Sequence, residues 1–134
     1  MRKTTSHLLF VIAMLYVGAA WCCCKGENIF AEPGISVATY IERLKTGTTE
    51  WQRYNAAAAL GELGDRSAIP ALVEALKSPS EWVRTNAVQS LDQLGAVEAM
   101  PNIKALLLDQ SSDVRAAANV VIKDLQALKD KSAN

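Results

Sequence analysis

The segments EWQRYNA (50–56) and EWVRTNA (81–87) differ at two of their seven positions and begin 31 residues apart. Further identical pairs follow at the same offset, and a third, partial copy begins at Asp113. A period of about 20–50 residues is typical of solenoids, in which each unit packs on its neighbours. The sequence therefore predicts a short repeat array with units at about 50–80, 81–111 and 112–129. The identical pairs are Leu60 and Leu91, Leu63 and Leu94, Gly64 and Gly95, Ala68 and Ala99, Pro70 and Pro101, and Leu76 and Leu107.

Each unit has the pattern of two helices. The first helix of every unit carries a stripe at i, i+4, i+8 and i+11, which lies on one helical face. Gly64 and Gly95 follow the stripe as C-terminal glycines, and Asp65 is expected to cap the second helix. Ser78–Glu81 has the pattern of a capping box with Pro79 at the first helical position. The stripes are Gln52, Ala56, Leu60 and Leu63; Val83, Ala87, Leu91 and Leu94; and Val114, Ala118, Ile122 and Leu125.

A lone helix before the first unit, with Tyr40 and Leu44 on its apolar face, completes the N-terminal end. No segment alternates polar and apolar residues, so we predict no sheet. The expected fold is an all-α, short α-solenoid over 35–129, with a frayed polar tail at 130–134. The six predicted helices are about 35–46, 50–63, 67–77, 80–94, 98–109 and 112–129.

The stretch AAAALGELGDRSAIPALVEALKSPSEWVR (56–84) resembles HEAT repeats, specifically the short HEAT-like type named after phycobilisome lyases. The resemblance rests on the alanine-rich first helix, Leu-Gly-x-Leu-Gly-Asp, Ala-Ile-Pro-Ala-Leu and the following Val-Arg. It implies an α-solenoid, and it raises a lyase-type enzyme as a less favoured alternative. Four residues depart from the family's pattern. They are Trp51 and Trp82 at surface positions that are usually polar, Gln52 in place of an apolar residue, and Ala96 in place of a capping Asp.

The N-terminus has the parts of a secretory signal. A basic start at Arg2 is followed by an uncharged run over 8–24, a polar stretch, and a small residue at Ala31. We therefore predict a signal peptide over 1–31, with a cut after Ala20 as the other feasible site. An uncleaved membrane anchor is the main alternative, because 17 residues is the lower limit for a span. Lipid attachment at Cys22 is a weaker one.

The chain lacks the residue patterns of common enzymes. Its 134 residues carry 14 basic and 14 acidic side chains. The chain therefore lacks the excess of basic residues that is typical of proteins that bind nucleic acid. A cut after Ala31 would remove His7 and the cysteines at 22–24, leaving 103 residues without imidazole or thiol and with a net charge of −2. No phosphate-binding loop, catalytic triad or metal-ligand spacing is present. We predict no catalytic residues, no cofactor and no metal.

Two sets of surface residues are candidates for partner binding. Trp51, Tyr54 and Trp82 project away from the buried stripe, and exposed aromatic residues are favoured as binding anchors. The alternative is that these rings cover their own chain. Arg53, Arg84 and Arg115 form a second column at the edge of the stripe. This column is either a set of links between units, with Asn55 and Asn86 as a parallel hydrogen-bonding ladder, or a basic stripe for an acidic partner.

The sequence thus predicts an exported, periplasmic or secreted scaffold that binds an unidentified protein without chemistry. A membrane-anchored assembly factor with the same repeats is the alternative, and only a retained leader would place the chain at a membrane. Self-association is also expected to be useful to so short an array, because stacked neighbours complete the core of a solenoid.

Overall fold

The computed structural model describes Ala31, Glu32 and residues 34–133, and within these residues every regular element is helical. The predicted leader lies outside the described residues except for Ala31. The six predicted helices are confirmed, and no strand occurs in the described part of the chain. No described helix has the length and apolar character of a membrane span. The helices are α1 (Val37–Thr46), α2 (Glu50–Leu63), α3 (Ile69–Ala75), α4 (Glu81–Gln93), α5 (Met100–Ala105) and α6 (Ser112–Ser132).

Short 3₁₀ turns extend the second helices of the units. Arg66–Ala68 leads into α3, Val97–Ala99 leads into α5, and Leu106–Leu108 follows α5. The last helix is longer than predicted, because α6 continues to Ser132 where a frayed tail over 130–134 was expected. Lys129 and Lys131 lie in its last turn, where cations interact favourably with the helix dipole.

The helices form two layers. The first helices of the units, α2, α4 and α6, stack side by side, and each second helix packs against the first helix of the next unit. Thus α1 packs on α2, α3 on α4, and α5 on α6. Because the second helices bridge neighbouring units in this way, the hydrophobic core is continuous from α1 to α6.

The predicted stripes supply most of this core. Leu60, Leu91 and Leu125 are fully buried in the three first helices. Two stripe residues, Leu63 and Ile122, are only partly buried and pack against the edge of the core, and in α6 Val121 takes the inward position. At 100° per residue, Val121 lies closer than Ile122 to the line through Val114 and Leu125.

Glycine and aspartate end and start the helices as the sequence predicts. Gly64 and Gly95 have φ angles of 70° and 58°, a left-handed conformation that other residues adopt at a cost. The Asp65 carboxylate accepts a hydrogen bond of 2.8 Å from the backbone N–H of Ser67. That bond holds the pKa of Asp65 below its ordinary value. Ala96, the corresponding residue of the next unit, provides no side-chain cap.

Two predictions about residues at the starts of α2 and α4 need correction. Gln52 is exposed, not part of the buried stripe, because its side chain accepts hydrogen bonds from the backbone N–H groups of Thr48 and Thr49. With Thr49 it forms the capping box of α2. Pro79 precedes the cap and does not occupy the first helical position, since Ser80 is the N-cap of α4 and accepts a bond from the N–H of Val83.

The stacked helices α2 and α4 are in close contact at Gly61. A Cβ atom built there would lie 2.9 Å from the Ser90 Cα and 2.8 Å from the Ser90 Oγ. The Ser90 hydroxyl donates a 2.8 Å hydrogen bond to the backbone carbonyl of Ala57 in α2. A glycine on one helix and a small hydroxyl residue on the other therefore set the distance between α2 and α4.

We expect the substitution Gly61→Ala to destabilise the fold by about 1–3 kcal/mol, because the backbone at Ser90 must move. At an exposed helical site the same change is stabilising by about 0.5–1 kcal/mol. The sign of the change in unfolding free energy therefore distinguishes a crowded position from an exposed one. Urea unfolding followed by circular dichroism measures it. A stabilised Gly61→Ala variant would show that α2 and α4 are not in close contact at this point.

Candidate functional site

Three aromatic residues lie together on the first-helix layer, and the two tryptophans among them are exposed as the sequence predicts. Trp51 in α2 and Trp82 in α4 are 65% and 59% exposed. Tyr54 lies one turn after Trp51 and is half-buried against the core. The Trp51 and Tyr54 rings are stacked, with centroids 5.3 Å apart and planes inclined by 12°. We call these three residues the aromatic surface.

The aromatic surface borders a groove of about 560 Å³ between the N-terminal turns of α2 and α4. Thr49 and Glu50 complete its lining. The Ser80 hydroxyl, from the loop before α4, donates a hydrogen bond to the Glu50 carboxylate. The groove is therefore lined by three aromatic rings, the Glu50 carboxylate and the Thr49 side chain.

Acidic side chains follow the same end of the first-helix layer. Glu50, Glu81 and Asp113 are all exposed, and each lies in the first turn of its own helix. Carboxylates are favourable there because the N-terminus of a helix carries a partial positive charge. The result is a row of three carboxylates at the N-terminal ends of the three first helices.

The arginine column is bonded to loop backbone. Arg53 donates to the carbonyl of Gly47 at 2.6 Å, and Arg115 donates to the carbonyl of Asp109 at 2.7 Å. Arg84 makes a bidentate pair with the Asp109 carboxylate, at 2.8 Å for both bonds, and also donates to the carbonyl of Ser78. Its guanidinium thus joins the loop before α4 to the loop before α6, which supports a role as a link between units.

The two asparagines differ in their surroundings. Asn86 is buried and its amide donates a 3.1 Å hydrogen bond to the backbone carbonyl of Tyr54, across the α2–α4 stack. Asn55 occupies the same register one unit earlier, facing a groove that Tyr40 and Trp51 also line. Its Oδ1 atom is buried without a hydrogen-bond partner. Of these two asparagines, Asn86 therefore forms the predicted kind of hydrogen bond between units.

Several linking residues have no counterpart in the sequence prediction. Arg66 donates a 2.8 Å bond to the Leu94 carbonyl at the end of α4 and pairs with Glu98 at 2.7 Å. Asp109, which binds Arg84, and Ser90 are likewise unpredicted. Their partners lie 25–33 residues away in sequence, and only the folded stack brings them together.

The described residues contain no group of three or more His, Cys, Asp or Glu side chains that would hold a metal. Asp92 in α4 and Asp124 in α6 are neighbouring carboxylates. Burial raises the pKa of Asp92, and repulsion from Asp124 raises it further. The groove beside the aromatic surface contributes stacking faces and the Glu50 carboxylate, which are groups suited to binding.

The match to known families agrees with this architecture. No curated protein matches the chain at a significant level. A family model described as HEAT repeats matches residues 37–123, a region that begins at α1 and ends within α6 and covers well over half of the chain. The chain therefore belongs to the HEAT repeat family.

Proposed function

We propose that this protein is an exported, non-catalytic scaffold that binds a protein partner through the aromatic surface. HEAT repeats suggest a protein–protein interaction module, and the aromatic surface supplies a candidate contact point. The observation that carries the proposal is the exposure of Trp51 and Trp82, at 65% and 59%. Indole rings are enriched among the few residues that dominate binding energy at interfaces.

The position of these rings on helices also favours binding. Trp51 and Tyr54 project from α2, and Trp82 projects from the neighbouring α4, so packed helices fix their spacing. A preformed surface loses little conformational entropy when a partner binds, and less of the interaction energy is then offset. Tyr54 is partly covered by its own chain, and the two indoles carry most of the accessible aromatic area.

We expect the double variant Trp51→Ala, Trp82→Ala to keep its fold and to lose partner binding. Two exposed rings contribute little to the core, so the unfolding midpoint should barely change. Affinity should fall by roughly 30-fold or more if the indoles are binding hot spots. The measurement is quantitative crosslinking pull-down from the native compartment, with circular dichroism melts of both proteins.

Leu108→Ala is the matched control. Leu108 is exposed, at 91%, as the tryptophans are, and it lies in the turn after α5, in the layer of second helices and not in that of the aromatic surface. It removes an exposed apolar side chain without touching the aromatic surface. Unchanged partner recovery from the double tryptophan variant, together with a lower melting temperature, would show that the rings cover their own chain. Co-purification of a coloured small molecule with the intact protein would favour the lyase-type alternative.

Export is part of the same proposal. The basic start, apolar run and small residue at Ala31 support a cleaved signal peptide over 1–31. Intact-mass measurement of the protein from its native host tests it. A mature chain that begins at Glu32 is expected. A full-length mass in the membrane fraction would instead favour the membrane-anchored assembly factor.

A further inference from the structure

We propose that the groove at the aromatic surface accepts a lysine- or arginine-bearing segment of the partner protein. This inference rests on the proposed function and adds the chemistry of the bound segment. The cationic head group would lie against the indole faces and pair with the Glu50 carboxylate. A cation within about 6 Å of an aromatic ring is attracted by the electron-rich ring face, most strongly for tryptophan.

The charges around the groove support a cationic ligand. Its five lining residues include the Glu50 carboxylate and no basic side chain. Glu81 and Asp113 are exposed in the first turns of α4 and α6, so they extend the negative charge along the same end of the layer. An acidic segment would be repelled at this surface, because like charges raise the free energy of the complex.

The nearby arginines are held by other groups. Arg53 is bonded to the Gly47 carbonyl at 2.6 Å, and Arg84 is held by Asp109 and by the loop before α4. Neither guanidinium is among the groove's lining groups. The carboxylate of Glu50 has a hydrogen bond from the neutral Ser80 hydroxyl, which positions it without neutralising its charge.

The aromatic surface also has accessible rings for such a contact. Trp51 is stacked on Tyr54 yet remains 65% exposed, and Trp82 remains 59% exposed. The protein makes a contact of this kind elsewhere, since the Arg43 guanidinium lies 5.6 Å from the centroid of the Tyr40 ring in α1. Aromatic rings and a carboxylate together discriminate a basic side chain from an apolar one, because the carboxylate adds an ion pair.

The test uses NMR of the tryptophan indole N–H groups in the full chain, titrated with acetylated, amidated pentalysine. Pentaglutamate and pentaserine serve as comparison peptides. We expect pentalysine to shift the indole signals of Trp51 and Trp82 far more than either comparison peptide does. Binding should weaken as sodium chloride is added, because the ionic part is screened. Equal shifts with pentaserine or pentaglutamate would overturn the inference.

Two variants make the test specific. Glu50→Gln keeps a hydrogen-bond acceptor for Ser80 but removes the charge, and it should raise the Kd for pentalysine by roughly twofold to fivefold. Trp82→Ala should raise it by about threefold to tenfold. Glu98→Gln is the control, because Glu98 pairs with Arg66 away from the groove. Pentalysine affinity that is the same in all three variants would refute the proposal.

The outcomes also separate this inference from the proposed function. Partner capture that depends on the two tryptophans, without any pentalysine binding, would leave the scaffold function intact and exclude a basic segment as the ligand. Suppose instead that pentalysine binds at the aromatic surface but partner capture is unaffected in the double tryptophan variant. The groove would then bind basic segments, and the partner protein would bind another face.

Discussion

Replacing Leu91 by alanine is expected to lower the free energy of unfolding by about 2–5 kcal/mol, as large-to-small changes in a packed core do. Leu91 is fully buried in α4, the middle one of the three stacked first helices. The cavity left by the lost side chain would border both neighbouring units, because α4 packs on α2 and on α6. Stability in a short solenoid depends on such contacts between units.

Leu108→Ala is the matched control for this prediction, since the same side chain is removed from a site that is 91% exposed. Its effect should be within about 0.5 kcal/mol. Urea unfolding of both variants, followed at 222 nm, gives the two free energies. If Leu91→Ala does not fold, the conservative variant Leu91→Met should still fold and should cost less than about 1.5 kcal/mol. Equal effects of the two alanine changes would show that α4 is not the centre of the core.

The fold could be predicted because the sequence contains the helix pair twice and the first helix of the pair a third time. Each unit places apolar residues on one helical face, and Gly64 and Gly95 end the first helices where a left-handed residue is required. Where the pattern of one unit is ambiguous, the matching residues of another unit settle it. The number of helices and most of their bounds therefore follow from local pattern alone. The inward position of Val121 was not predicted, and it lies in the third copy, where fewer residues match those of the earlier units.

The partners of individual side chains were not predictable in this way. Gln52 has the stripe position of an apolar residue, and only its bonds to the backbone N–H groups at Thr48 and Thr49 show that it caps α2. The approach at Gly61 depends on Ser90, which lies 29 positions later in the neighbouring helix. Local periodicity reports which face of a helix is buried, but it does not report which side chain on another helix meets that face.

For the candidate site, the sequence predicted which residues are exposed but not which side chains contact each other. The 100° rotation per residue correctly places Trp51 and Trp82 on an exposed face. It does not show that Tyr54 stacks on Trp51, or that Glu50 lines the same groove and accepts a hydrogen bond from Ser80. These features depend on side-chain rotamers and on the distance between α2 and α4, which are set by packing in three dimensions.

Arg84→Ala is expected to destabilise the protein by about 2–4 kcal/mol at pH 7. The guanidinium and the Asp109 carboxylate are 13% and 8% exposed as side chains, and removing one partner would leave a largely buried charge without its counter-ion. The backbone carbonyl of Ser78 would lose a donor as well. Arg84→Lys should be intermediate, because an ammonium group keeps the charge but does not reproduce the bidentate geometry.

The pH dependence of this effect identifies the ion pair as its cause. Hydrogen bonding from Arg84, the largest influence, holds the pKa of Asp109 below its ordinary value of 3.8. A carboxylate whose pKa is lower in the folded state stabilises the fold above its unfolded pKa, and this stabilisation is lost as the pH falls through the folded value. The difference in unfolding free energy between the natural protein and Arg84→Ala should therefore be constant from pH 7 to about pH 5 and should shrink below about pH 4.

Asp65, Asp92 and Glu98 also titrate in acid, but they are present in both proteins and largely cancel in the difference. A difference that stays constant down to about pH 2.5 would assign the effect to the arginine's backbone contacts alone, and Asp109→Asn would then leave stability unchanged.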